Sequence, residues 1–226
     1  MIVVHHLENS RSQRILWLLE ELELDYEVKR YNRDATTKLA PPELLAVHPL
    51  GKSPVITDGD ITIAESGAIV EHLLEHYDKG RLLPPKGSAE RRQYTYWLHY
   101  AEGTFMPYMV MSLVVGRIES APMPFFVKPI AKGIAAKIRE SFLTPNIDRN
   151  MAFMEATLAN SAWFTGETMS GADILMSFPV EAAAARVGTN GDFPALEQFL
   201  KTVQALPAYK RALEKGGPYE LLGSKP

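Results

Sequence analysis

Between Leu7 and Leu19 the chain passes from a short apolar strand into an amphipathic helix through the polar residues Glu8-Asn9-Ser10-Arg11. A helix that starts where a strand ends gathers unpaired backbone N–H groups and the positive end of its dipole at one point, a combination that suits an anion. Ser10 stands at that point. Around it, Ile2-Val3-Val4 reads as a strand, and residues 12 to 24 read as a helix with Ile15, Leu16, Leu18, Leu19 and Leu22 at helical spacing. Tyr26-Glu27-Val28-Lys29-Arg30-Tyr31 then alternates apolar and polar residues as a half-buried strand does, so a βαβ unit is the economical reading.

After an irregular polar stretch holding Pro41 and Pro42, Val55-Ile56-Thr57 and Ile61-Thr62-Ile63-Ala64 flank Asp58-Gly59-Asp60, a strong local signal for a tight hairpin. A helix is predicted from Ser66 to Tyr77, with Ile69, Val70, Leu73 and Leu74 inward and Gly80 ending it. This order of elements is that of a thioredoxin-like domain. Residues 81–87 are a turn-rich connector with two prolines, and nothing beyond them shows a strand pattern for more than a hundred residues. The expected organisation is therefore an α/β domain over residues 1–80, a linker over 81–87 and an all-helical domain over 88–226. Five or six helices are expected there, with breaks at Pro122-Met123-Pro124, Pro145, Ala159-Asn160-Ser161, Gly188 to Pro194 and Pro207. Pro107 and Pro129 fall inside helical patterns, and each predicts a kink or a restart.

With 46% hydrophobic and 23% charged residues the 226-residue chain has the balance of an ordinary globular protein, and its net charge of -3 gives no basic field for nucleic acid. No run approaches the roughly 18 to 20 apolar residues of a membrane span, and the start lacks the pattern of a signal peptide, so a cytoplasmic protein is expected. There is no cysteine, which excludes a disulfide framework, a thiolate zinc site and a catalytic cysteine. Any thiol chemistry must use a thiol from elsewhere. The six histidines show no metal-ligand spacing: His5 and His6 face opposite sides of a strand, and His72 and His76 lack a third partner nearby in sequence.

Three motifs carry chemistry. Ser10-Arg11-Ser12-Gln13 fits a capping box, and equally fits a hydroxyl that donates to a bound thiolate and lowers its pKa with help from the helix dipole. Asn9, Ser10 and Ser12 all lie within one turn and are candidates for that donor. The stretch Lys52-Ser53-Pro54-Val55 places proline just ahead of a strand. A trans turn is the plain reading. A cis bond there would turn the Ser53 backbone outward to pair with an extended peptide ligand. Glu65-Ser66 opens a helix as a simple cap, or as a site where an acid receives an amino group while Ser66 and free N–H groups hold a carboxylate. Together the three call for a ligand with a thiol, a peptide segment and an α-amino acid head.

On these residues the chain resembles the cytosolic-type glutathione transferases over nearly its whole length, and most of all the bacterial and fungal members that start Ser-Arg-Ser-x-Arg-Ile-Leu-Trp-Leu-Leu-Glu-Glu-Leu. The resemblance implies glutathione as co-substrate, no metal, and attack of its thiolate on a hydrophobic electrophile. It implies Ser10 as the activating residue, Ser53 before a cis Pro54 on the cysteinyl backbone, and Glu65 and Ser66 on the γ-glutamyl end. Lys52 is then a candidate for the glycyl carboxylate. It also implies a homodimer, and gives Ser170 and Asp173 the structural capping box of the central helix. From the aromatic and methionine cluster at residues 94–111, core packing claims most, while Tyr100, Met106 and Tyr108 are candidates for an apolar pocket. Two other functions stay open: glutathione-dependent reduction of disulfides or peroxides, and a non-catalytic scaffold with this fold.

Overall fold

The alternating segments Ile2–Leu7 (β1) and Tyr26–Tyr31 (β2) lie side by side in parallel, with Ile2 opposite Tyr26 and Leu7 opposite Tyr31, and the helix Ser12–Glu21 (α1) crosses between them. Val55–Asp58 (β3) runs antiparallel to β1 on its other side and turns back through Gly59, at φ 58°, into Ile61–Ala64 (β4). The sheet order is therefore β2-β1-β3-β4. A short helix, Glu43–Val47 (α2), sits in the stretch that reads as irregular from sequence. The computed structural model describes residues 1–37, 39–186, 188, 191–217 and 219.

After β4 comes Ser66–Tyr77 (α3), and from there the described chain is helical: Ala89–Tyr100 (α4), Met106–Ser120 (α5), Lys128–Ile138 (α6), Thr144–Leu158 (α7), Gly171–Arg186 (α8), Pro194–Ala205 (α9) and Pro207–Gly216 (α10). These are seven helices among the described residues where sequence pattern suggested five or six. The seventh comes from the π-helical turn Ala101–Phe105 just before Pro107, which separates α4 from α5; a second, Arg139–Leu143, lies just before Pro145. Each wider turn lets the chain pass its proline without leaving the helix, so the break expected at Pro145 is a continuous passage from α6 to α7. Nor does Gly80 end α3. Asp78 does, its carboxylate accepting the N–H groups of Arg81, Leu82 and Leu83 at 3.1, 3.0 and 2.8 Å. That loop in turn buries Leu82, whose carbonyl accepts the N–H of Gly171 at the start of α8.

The core is built around α1 and α8. Ile15, Leu16, Trp17, Leu18 and Leu19 are all fully buried, because α1 has the sheet on one side and α8 and α10 on the other, with Trp17 edge-on to Tyr209. Every residue of α8 from Gly171 to Ala183 is buried, as a helix apolar on all sides requires. This central helix contains Pro179, which removes the N–H that would have bonded the carbonyl of Leu175.

Candidate active site

At the end of β1 the chain turns through Asn9, one of three non-glycine residues among those described with positive φ (50°). Ser10 Oγ lies 2.7 Å from Ser12 Oγ, and Ser12 Oγ lies 2.9 Å from His6 Nδ1. All three side chains are buried. The expected capping box does not form: the Ser12 N–H, not that of Gln13, bonds Ser10 Oγ at 3.3 Å, and Gln13 Nε2 has no partner among the described residues. Gln13 N–H turns to the Ser10 carbonyl instead. Burial pushes His6 down to about 4, with repulsion from Arg30 adding to it and a hydrogen bond to the Gly216 backbone opposing. The ring is neutral, with one nitrogen a donor and the other an acceptor. With Nδ1 as the acceptor, Ser12 donates to it and Ser12 Oγ accepts from Ser10; Ser12 Oγ also lies 3.5 Å from the Leu7 carbonyl.

The loop before β3 approaches the same turn. The Ser53-Pro54 bond is cis. Ser53 Oγ donates to the His5 carbonyl at 2.8 Å and accepts the Leu7 N–H at 3.3 Å, which ties this loop to the edge of β1 beyond the last ladder pair. Glu65, at φ 73°, leads into α3, and Glu65 and Ser66 face Arg11, Lys52, Ser53 and Pro54 across a narrow cleft.

Behind Ser66 lies Arg14, whose side chain is 2% exposed. It donates to Ser66 Oγ at 3.2 Å and to the orphaned Leu175 carbonyl at 2.5 Å, stacks on Phe178, and pairs with Glu102. Glu102 stands in the first π-helical turn and also pairs with Arg11. Burial alone would push the Glu102 carboxyl up; Arg14 and Arg11 outweigh it and hold it below the ordinary carboxylate value. One carboxylate thus ties the start of α1 to the helical half of the molecule.

The narrow cleft opens into a cavity of about 510 Å³. Asn9, Ser10, Arg33, Lys52 and Ser53 line one wall, and Met106, Val110 and Leu113 of α5 with Phe178 and Arg186 of α8 line the other. Ser12 is behind Ser10 and does not reach this space. Tyr100 and Tyr108 do not reach it either: the Tyr100 hydroxyl donates to Asn150 inside an aromatic stack with Trp97 and Tyr96, and the Tyr108 hydroxyl points to Asn146 at 3.3 Å beside Phe142. Met106 is the one of the three pocket candidates that lines it. Away from the cavity, Asp173 accepts the N–H groups of Ser170 and Phe164 at 2.8 and 2.7 Å and the Ser170 hydroxyl at 2.9 Å. Ser170 Oγ in turn accepts the Ala172 N–H at 3.2 Å.

Residues 1–75 match the family described as "Glutathione S-transferase, N-terminal domain", and residues 123–207 match "Glutathione S-transferase, C-terminal domain". Glutathione S-transferase 1 of Saccharomyces cerevisiae is 35% identical over 95% of this chain and 95% of its own. The chain belongs to the glutathione transferase family. A glutathione S-transferase crystal structure from Actinobacillus pleuropneumoniae superposes on this transferase with a TM-score of 0.81 at 34% identity, covering 100% of this chain and 97% of that one. A transferase family member from Pseudomonas fluorescens, solved with two glutathione bound, shares the fold at a TM-score of 0.73 and 24% identity, covering 94% and 92%.

Sequence reading of this transferase overlooked His6, Arg14, Glu102, Phe178 and Arg186. Two of these had a signal. A proline inside a buried helix announces an unpaired carbonyl four residues earlier, and a buried arginine in α1 is a ready donor for it. His6, on the face of β1 opposite to His5, is placed by strand alternation toward the turn that holds Ser12. Glu102 is brought to Arg11 and Arg14, and Phe178 and Arg186 to the cavity, only by packing.

Proposed function

We propose that this transferase binds glutathione along the cleft from Glu65 to Ser10 and directs its thiolate onto an electrophilic carbon held against Met106, Val110, Leu113 and Phe178. The observation that carries this reading is the cavity itself, which joins the polar strand-to-helix turn to an apolar wall from α5 and α8. In it Glu65 receives the α-amino group, Ser66, backed by Arg14, holds the α-carboxylate, the Ser53 backbone pairs with the cysteinyl segment, and Lys52 meets the glycyl carboxylate. The glutathione held by the Pseudomonas fluorescens relative supports the choice of ligand. The same reading makes the protein a cytoplasmic homodimer that acts on hydrophobic electrophiles, as the family resemblance implies.

Thiol activation follows from the hydroxyl chain. Without ligand, Ser10 gives its proton to Ser12. A thiolate is a charged acceptor, and charge-assisted hydrogen bonds are roughly twice as strong as neutral ones, so the Ser10 O–H turns to the sulfur when glutathione binds. Lowering a thiol pKa by about two units requires about 2.7 kcal/mol of differential stabilisation. One charge-assisted bond together with the α1 terminus is of that size. The thiolate sulfur then forms a bond to the electrophilic carbon as the leaving group departs with the bonding pair.

The test is ultraviolet difference titration of glutathione thiol on the protein, repeated with Ser10→Ala, and product analysis with an aryl halide. A depressed thiol pKa that returns toward the free value in the variant, with thioether as product, supports the reading. Oxidised glutathione as product would replace conjugation with reduction, and failure to bind glutathione would leave a scaffold.

A further inference from the structure

A second cavity, also of about 510 Å³, lies along α5 between the second π-helical turn, α7 and the end of α8. It shares Leu113 and Arg186 with the first, so the two cavities adjoin at those side chains. Its floor is apolar, from Leu143 and Ile147, but its lining carries three guanidinium groups, Arg117, Arg139 and Arg186, against one carboxylate, Asp148. Arg139 is neutralised by Glu119 at 2.6 Å. Among the described residues Arg117 and Arg186 have no ion-pair partner, and Arg186 is fixed at the seam by donating to the Met109 carbonyl at 3.2 Å.

The positive charges converge. Burial depresses the guanidinium groups of both Arg186 and Arg33; repulsion from Arg117 depresses them further, against the opposing pull of Tyr219 on the first and Glu8 on the second. Arg33 lines the first cavity beside Asn9. Like charges gathered around an apolar trough, with one free carboxylate among them, are arranged for an anion carried on an apolar body.

We propose that the second substrate of this transferase is an apolar electrophile with an acidic group, the acid held by Arg117 and Arg186 and the reactive carbon lying past Leu113 toward the sulfur. This rests on the conjugation reading above and narrows its substrate class. For an aryl chloride the thiolate sulfur bonds to the ring carbon that carries chlorine, and the carbon–chlorine bond breaks with chloride taking the electron pair. The thiol proton has already gone to solvent.

The test compares methyl 4-chloro-3,5-dinitrobenzoate, a neutral activated aryl chloride, with the free carboxylate 4-chloro-3,5-dinitrobenzoate on the wild-type protein, Arg117→Gln and Arg117→Glu. Arg117 is exposed on α5 and lines the second cavity but not the first, so the neutral substrate serves as the control for any effect carried to the glutathione cleft through Arg33 or Arg186. The expected result is that KM for the benzoate rises about ten-fold or more in Arg117→Glu, the size of one partly exposed charge-assisted contact, while its kcat and both constants for the neutral substrate hold. Arg117→Gln falls between. Equal KM in wild type and both variants overturns the inference, as does a loss that is the same for both substrates. Thiol ionisation of bound glutathione, measured in the same preparations without electrophile, separates the two failures. If the thiolate forms and the KM values ignore Arg117, only the acid site is wrong; if no thiolate forms in the wild type, the conjugation reading falls and takes this inference with it.

Discussion

Arg14 supplies the hydrogen bond that Pro179 cannot: its guanidinium lies 2.5 Å from the carbonyl of Leu175, four residues before the proline in α8. The same guanidinium holds Ser66 and pairs with Glu102, so the defect in the central helix is repaired by a side chain of the α/β half.

Arg14→Met leaves the Leu175 carbonyl and the Glu102 pairing unmet and is expected to cost about 2 to 4 kcal/mol in denaturant unfolding. In a Pro179→Ala background the backbone N–H of residue 179 reaches Leu175, and the same change should cost about 1 kcal/mol less. A double-mutant cycle with no coupling would show that Arg14 does not act through that carbonyl.

The Ser10, Ser12 and His6 chain makes two neighbouring serines respond in opposite ways. Ser10→Ala removes the donor to sulfur, and the bound thiol should titrate about one to two units higher. Ser12→Ala removes the hydroxyl that competes for the Ser10 proton, so its thiol pKa should match or lie below that of the wild type. That variant also orphans His6 Nδ1 and should lose about 1 kcal/mol of stability. Thiol titration and thermal unfolding on the two variants separate these effects. An unchanged thiol pKa in Ser10→Ala would move the role to Asn9.

Much of the first half was legible because its signals are local. Alternation in Tyr26–Tyr31, the Asp58-Gly59-Asp60 turn and the apolar spacing of α3 each fix their element within a few residues. The pocket wall was not legible, and the π-helical turn at Ala101–Phe105 is the reason. Its extra residue rotates all that follows by about 100° relative to a continuous α-helix. The phase read from α4 therefore cannot be carried into α5, where Tyr108 turns to Asn146 while Val110 and Leu113 take the cavity; Tyr100, ahead of the turn, is held in the aromatic stack beside Asn150. Arg33 arrives from the loop after β2 and Phe178 and Arg186 from α8, and no local pattern marks them.

Asp173 gathers donors from Phe164, Thr165 and Ser170 on two sides of one turn, and its removal should tell on folding before chemistry. Asp173→Ala strands the N–H groups of Phe164 and Ser170 and the Ser170 hydroxyl, for an expected loss of about 3 to 5 kcal/mol. Ser170→Ala keeps both backbone donors to Asp173 and should lose about 1 kcal/mol, the ordinary worth of a cap. The thiol pKa of glutathione bound to the folded fraction should be the same in both variants as in wild type. A shift there would mean that this turn reaches the active site.

Glu181 makes stability depend on pH in a direction opposite to that of a paired surface carboxylate. It is buried in α8 under the hydroxyls of Tyr209 and Tyr219, and burial raises its carboxyl from 4.5 to about 7, the two hydroxyls and Arg14 only partly opposing. The folded protein therefore holds this proton more tightly than the unfolded chain does. Between about pH 4.5 and pH 7 the folded state binds more protons, so this group's contribution is full below that window and is lost as pH rises through it. Glu181→Gln has no charge to bury and can still accept from one tyrosine. Relative to wild type it should be more stable at pH 8 by on the order of 2 kcal/mol, with the advantage shrinking to nothing by about pH 5. Thermal unfolding of the pair from pH 5 to 8.5 reads the difference directly, because every other titrating group cancels. A difference that stays constant across that range would mean that Glu181 carries the same charge in the folded and unfolded chain.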